Sequence, residues 1–342
     1  MPRDELVLHV GSGYFTPGLS QVLTFRLDGD GEARLLQTVD VEPYPTFLAV
    51  SADRRTLYLN VESETDRAAA VAFRRSPGDG CLTRLSAVRS GERQSAYIAP
   101  IGGGFVAQAN YQGHSVAVLG TGPDGDLGPV TCVVTLPDGA ATHSVARHPG
   151  DDRVFVANRS THTIDTFHLD ARTGALHATG VPCDAAERGP RHLVVSPDGQ
   201  HLFCSDEQSS TVSVYRIDGG AITWCASHRT VPDGWVGENR PADLELHPSG
   251  RALYVTNRQH RSVAVFDVDG GELAMTATVP VGDGARNLSV DPAGRLLAVG
   301  NLRDDSVSCL ALDPDRGRPT GHRTDLPVPA PCGILLAAAP VD

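Results

Sequence analysis

A unit of about 48 residues recurs along this chain, and a fixed period in that range is the signature of a repeat that stacks or closes into a ring. The clearest copies read HSVARHPGDDRVFVANRSTHTIDTFHLD from His143, HLVVSPDGQHLFCSDEQSSTVSVYRID from His192, ADLELHPSGRALYVTNRQHRSVAVFDVD from Ala242 and RNLSVDPAGRLLAVGNLRDDSVSCLALD from Arg286. Each copy is a short strand, a turn built on Pro and Gly, a second strand with period-two alternation, a polar turn and a third alternating strand. A variable fourth segment leads into the next copy. One period therefore builds one four-stranded antiparallel blade.

The turn proline serves as a ruler. It falls at Pro149, Pro197, Pro248 and Pro292, with degenerate earlier copies at Ala52 in FLAVSADRRTLYLNV and Pro100 in YIAPIGGGFVAQAN. The steps are 48, 49, 48, 51 and 44 residues. One more step lands on Pro340 at the C-terminus, and the strand that should follow is found at the other end of the chain, in ELVLHVGSG from Glu5. The expectation is an all-β, seven-bladed β-propeller occupying residues 1–342 as a single domain. Its seventh blade is split between the termini, which closes the ring and removes open sheet edges.

Composition narrows the chemistry. Net charge is -12, which argues against nucleic acid as a partner, since such partners call for a basic face. All 29 basic residues are Arg, so lysine Schiff bases, P-loop phosphate binding and pyridoxal linkage are excluded. Arg supplies a planar, permanently charged fork suited to carboxylate or phosphate. The seven cysteines are widely spaced, with no C-x-x-C pair, and read as free thiols of a reducing compartment. No apolar run has the length of a secretory leader or a bilayer span. A cytoplasmic protein without membrane contact, monomeric or weakly self-associating, is expected.

In a propeller the first strand of each blade lines the central channel, so equivalent positions on it converge. Six residues before the ruler position stand Thr46, Gln94, His143, Arg191, Ala242, Arg286 and Ile334. A set holding His, two Arg and Gln is too polar for a packing layer. Arg240, in ENRPADLEL, is placed to reach the same space from the preceding loop. Ten residues after the ruler position the copies carry Glu62, Arg159, Glu207, Arg258 and Leu302, a variation in charge that points to specialised roles. The residue before it, Asn158, Asp206, Asn257 or Asn301, reads as turn chemistry. His148, His192 and His247 read as structural. Several guanidinium groups on one channel repel one another unless an anion completes the balance, so the expected ligand is a small anion.

The runs THSVARHP, GPRHLVVSPDG, CSDEQSSTVSVY, LYVTNRQHRSVAVF and GARNLSVDPAG resemble the bacterial lactonase family of seven-bladed propellers. That family includes the propeller type of 6-phosphogluconolactonase and the fungal 3-carboxy-cis,cis-muconate lactonizing enzyme. The resemblance implies a catalytic set of His143, Arg191, Glu207 and Arg258, with Glu207 and His143 sharing proton transfer. Gln94, Asn110 and Tyr111 are the substrate contacts the resemblance implies, beside Arg286 and Arg240 from the register. The leading expectation is hydrolysis of a small anionic lactone, 6-phosphogluconolactone first. A muconate-type cyclase or isomerase acting on a polycarboxylate is the runner-up, and a non-catalytic ligand-binding propeller remains open because YVTN repeats also occur in binding scaffolds. No metal or cofactor is expected, since no cluster of Asp, Glu and Asn stands out on the channel register.

Overall fold

The computed structural model describes residues 6–16, 18–28, 32–63, 69–89 and 94–341. Among them there is no helix, and strands form seven antiparallel sheets. Six sheets are contiguous in sequence, at residues 44–89, 95–135, 142–184, 190–229, 241–280 and 285–327. They are blades one to six here. The seventh pairs the C-terminal strand Pro331–Ala338 with Leu6–Ser12, Gln21–Leu27 and Ala33–Asp40. In this closure Val10 stands opposite Ile334 and Leu6 opposite Ala338. The expected split blade is present; Glu5 itself lies outside the described residues.

The innermost strand of each blade packs against that of the next, all the way round. Second strands such as Ala252–Asn257 are buried along their whole length, because both faces meet neighbouring blades and their Val, Leu, Phe and Tyr suit a pleated, enclosed surface. Apolar layers fill the gaps between blades. Between blades two and three, Ala107, Val116 and Val118 meet Val145, Val154, Val156 and Phe167. Fully burying each such valine or leucine contributes about 1.5–3 kcal/mol. Truncating a wholly buried ring such as Phe155 to Ala costs about 3–5 kcal/mol. Outer strands read differently: after the buried Leu127, Leu127–Thr135 alternates half-buried and exposed positions, as a strand wetted on one face should.

Every blade carries an irregularity at one place. Where the first strand begins to pair with the second, the register shifts and leaves an extra residue: Thr46, Ala96, His143, Arg191, Arg286 and Cys332, with Ala242 and Asp243 together in blade five. A β-bulge re-aims a side chain, and these bulges form a ring around one mouth of the channel.

Candidate active site

That mouth opens into a cavity of roughly 270 Å³. Three rings of equivalent positions surround it. The bulge ring supplies Ala96, His143, Arg191 and Arg286. A second ring, at the turn after each second strand, supplies Glu62, Tyr111, Arg159, Glu207 and Arg258. The third is the loop entering each first strand, two residues before the bulge. There the backbone carbonyls of Gln94, Ala141, Gly189, Arg240, Gly284 and Ala330 accept N–H bonds from Tyr111, Arg159, Glu207, Arg258, Leu302 and Gly13. Those bonds lock the rings together. Gly189 shows the local cost: its φ is +71°, and a Cβ there would stand 2.7 Å from the Gln208 side chain, so glycine is the residue that adopts this turn of GPRH without displacing Gln208.

Glu207 sits at the centre of the charge. Its Oε1 is 2.9 Å from Arg258 Nη2 and 3.2 Å from Arg159 Nη2, and its Oε2 is 3.2 Å from Arg191 Nε. Burial disfavours the carboxylate, but Arg191, Arg258 and Arg159 override it and hold its pKa at about 2. Arg191 is 2% exposed. Its Nε faces Glu207 off the hydrogen-bond axis, so that Nε and Nη1 are enclosed without a hydrogen-bond partner. Burial, then the charge on Arg258, pulls Arg191 down to about 9, which leaves it charged at neutral pH while registering its unmet need for an anion. Arg159 Nη1 also donates to Tyr111 Oη at 3.2 Å.

The opposite wall is built from Arg286, whose guanidinium lies 4.7 Å over the ring of Tyr14. Tyr14 donates to Glu62 Oε1 at 3.0 Å. His143 is buried between these walls, its ring edge-on to Tyr111. Burial first, then Arg191, His192 and Arg286, lowers its pKa well below that of a free imidazole, so it is neutral at physiological pH. Among the described lining residues, five arginines at the cavity face two carboxylates, Glu62 and Glu207. Arg240, on the rim, is paired with Glu238 at 2.5 Å. Among the described residues no group of three or more His, Cys, Asp or Glu side chains is arranged to hold a metal ion.

The cavity gathers His143, Arg191, Glu207, Arg258, Arg286, Arg240, Gln94 and Tyr111 from the sequence-derived set. Asn110 is not on its lining. It ends its strand and donates Nδ2 to Ser115 Oγ at 3.1 Å, as Asn257 does to Ser262 and Asn301 to Ser306. The recurring Asn/Asp thus ties the hairpin to the Ser or Thr five residues on, and Tyr111 is the register mate of Arg159 and Glu207. The ruler slipped here because Pro100 lies inside its strand, opposite Val106, and the turn follows at Gly103 and Gly104. Ala96 therefore holds the bulge position assigned to Gln94. Gln94 reaches the cavity as the loop-ring counterpart of Arg240. In blade seven Cys332 occupies the bulge and Ile334 is core.

Sequence reasoning also left out Tyr14 and the roles of Glu62, Arg159 and His192. Glu62 and Arg159 were visible on the register. Tyr14 follows the residue matching Arg159 in a blade joined only by the fold. His192, read from the sequence as structural, packs its ring on His143, Tyr97 and Phe47, from the innermost strands of three other blades.

Comparison with known proteins gives a consistent picture. The model of the family described as "Lactonase, 7-bladed beta-propeller" matches residues 8–336. A 6-phosphogluconolactonase of Pectobacterium carotovorum is 26% identical over 320 residues, covering 92% of this chain and 93% of that protein. One from Yersinia pestis is 27% identical, covering 89% and 91%. The periplasmic gluconolactonase PpgL of Pseudomonas aeruginosa superposes with a TM-score of 0.88 at 26% identity, over 98% of this chain and 100% of its own.

Proposed function

Because this chain belongs to the lactonase family of seven-bladed β-propellers, we propose that it hydrolyses the lactone of an anionic sugar acid, with 6-phosphogluconolactone as leading substrate. The observation that carries the reading is the surplus of positive charge on a mostly buried cavity. Five guanidinium groups, of which the rim Arg240 is already paired with Glu238, against two carboxylates match a phosphate monoester, which carries about -1.5 to -2 at neutral pH, better than a single carboxylate. The names of the Pectobacterium and Yersinia relatives favour ring opening over muconate-type ring closure.

The residues divide the work as follows. Arg191, whose Nη1 is enclosed without a partner, and Arg258 beside it donate to the oxyanion that develops when water adds to the lactone carbonyl. Arg159 and Arg286, flanking them, hold the phosphate. Neutral His143 takes the proton from the attacking water and returns it to the leaving ring oxygen. Glu207, with a pKa near 2, is too weak a base for that proton at neutral pH. Its part is to fix three arginines in place and offset their repulsion. All seven cysteines are unpaired, which supports a cytoplasmic location, testable by cell fractionation.

The test is a time course of freshly prepared 6-phosphogluconolactone against its spontaneous hydrolysis, run beside a muconate cyclisation assay. Acceleration of the first, abolished in Arg191→Ala, is expected. No acceleration over background overturns the proposal, and acceleration of cyclisation alone replaces it with the ring-closing reading.

A further inference from the structure

One layer below His143, the channel holds a second histidine already bound to an acid. His192 donates Nδ1–H to Asp243 Oδ1 at 2.6 Å. Asp243 is fixed in turn: Oδ1 also accepts the Leu244 N–H at 3.0 Å, and Oδ2 accepts the Leu288 N–H at 3.1 Å from the next blade. Both side chains are buried, at 2% and 5% exposure. With Nδ1–H committed to the carboxylate, the neutral His192 ring leaves Nε2 as an acceptor. That Nε2 is enclosed without a partner, and so is Nδ1 of His143. The two rings are 5.1 Å apart between centroids and inclined at 60°. Two buried orphans on neighbouring rings, one already forced to accept, leave the other to donate.

We propose that Asp243, His192 and His143 form a proton relay, in which Asp243 and His192 are positioning residues that set the His143 tautomer and receive the proton it cannot keep. The inference rests on the hydrolytic reading above. With Nδ1–H directed at His192, His143 presents a bare Nε2 lone pair to the cavity. As water attacks the carbonyl carbon, a water O–H bond breaks and that proton bonds to His143 Nε2. The Nδ1–H bond of His143 breaks and its proton bonds to His192 Nε2. Hydroxide closes the tetrahedral intermediate, and the same protons return when the ring oxygen leaves, so no further reactant is needed.

The relay has an electrostatic reason. A positive charge on His143 lies against Arg191 and Arg286, which oppose it. On His192 the charge faces Asp243, which favours it, although burial and the same two arginines hold that ring's pKa at about 4. The groups around His192 are Asp243, His143, Arg191, Arg286 and Tyr97. Asp243 is the one anion among them. Moving the charge one ring deeper takes it from a cationic wall to a carboxylate.

Two measurements test this on the whole chain. Ring-nitrogen NMR on 15N-histidine protein reads the tautomers without substrate: hydrogen on Nδ1 of both His143 and His192 is expected in the wild type, and hydrogen on His192 Nε2 overturns the proposal. Asp243→Asn, near-isosteric and checked for folding by its thermal transition, should flip both rings. It should also lower kcat on the order of 10²-fold, with KM changed by less than a factor of three. Should Asp243→Asn fail to fold, His192→Gln takes its place in the kinetic arm. If the wild type hydrolyses the lactone and His143→Ala does not, yet Asp243→Asn turns over at the wild-type rate, the relay is wrong while the lactonase reading stands. If the wild type accelerates no lactone, the tautomer measurement still decides the hydrogen bonding and the lactonase reading is what fails.

Discussion

The two ends of the channel treat the same repeat in opposite ways. At the end away from the cavity, blades three and five reuse one device. His148 donates Nε2–H to the Gly199 carbonyl at 3.0 Å, and His247 does so to Gly294 at 2.9 Å, each binding its own turn to that of the following blade. Their Nδ1 atoms accept the N–H of Gly150 and Ser249. A Cβ on Gly199 or Gly294 would stand 2.5 or 2.2 Å from the imidazole, so the glycine and the histidine require each other. At the cavity end the equivalent bulge positions hold Thr46, Ala96, His143, Arg191, Ala242, Arg286 and Cys332, with no two adjacent blades alike. Where blades agree, the residues build the ring; where they differ, they face the ligand.

Four substitutions probe that division, from the largest effect to the smallest. Glu207→Gln removes the anion shared by three arginines and should cost on the order of 3 kcal/mol in denaturant midpoint, because breaking a buried charge pair leaves its partners uncompensated. Its folded pKa of about 2 lies below the ordinary 4.5. The stability it contributes is therefore fully present above about pH 4.5 and lost as pH falls toward 2. Unfolding measured across that window should show this loss in the wild type and not in the Gln variant. Added inorganic phosphate should restore part of the variant's stability by binding the freed arginines.

Arg191→Ala should lower kcat/KM by about 10²–10³-fold, with a thermal midpoint equal to or above wild type, since it removes one cation from a site with a positive surplus. Collapse of the fold in this variant would break the contrast between the two ends. His148→Ala should do the reverse, costing about 1–3 kcal/mol for the lost buried hydrogen bond while steady-state kinetics of the folded protein stay unchanged. Reduced kcat there would mean the far end also serves the chemistry. Arg240→Ala, on the rim and already paired with Glu238, should raise KM a few-fold at low salt. That effect should vanish as ionic strength rises.

The architecture was legible because the period, the turn prolines and the two-residue alternation are local signals repeated in four clear copies and echoed in the earlier, degenerate ones. Even the closure by Leu6–Ser12 followed from counting. The site was legible where the turn ruler kept step with the strands, at His143, Arg191, Glu207, Arg258 and Arg286. It slipped at the bulge place given to Gln94, because Pro100 lies inside its strand and not at the turn, and the implied contact Asn110 instead ties its hairpin to Ser115.

What the amino-acid order determined by itself was the seven-fold framework and the chemical types brought to its axis, since hydrophobic alternation and turn residues act over a few positions. The three-dimensional structure alone decided which groups meet: three arginines on one carboxylate, Arg286 over Tyr14, His192 beneath His143 with its acid. Apart from Arg191 and Glu207, which share blade four, those neighbours come from different blades, tens to hundreds of residues apart in the chain. Charge, burial and tautomer depend on distances that only ring closure creates.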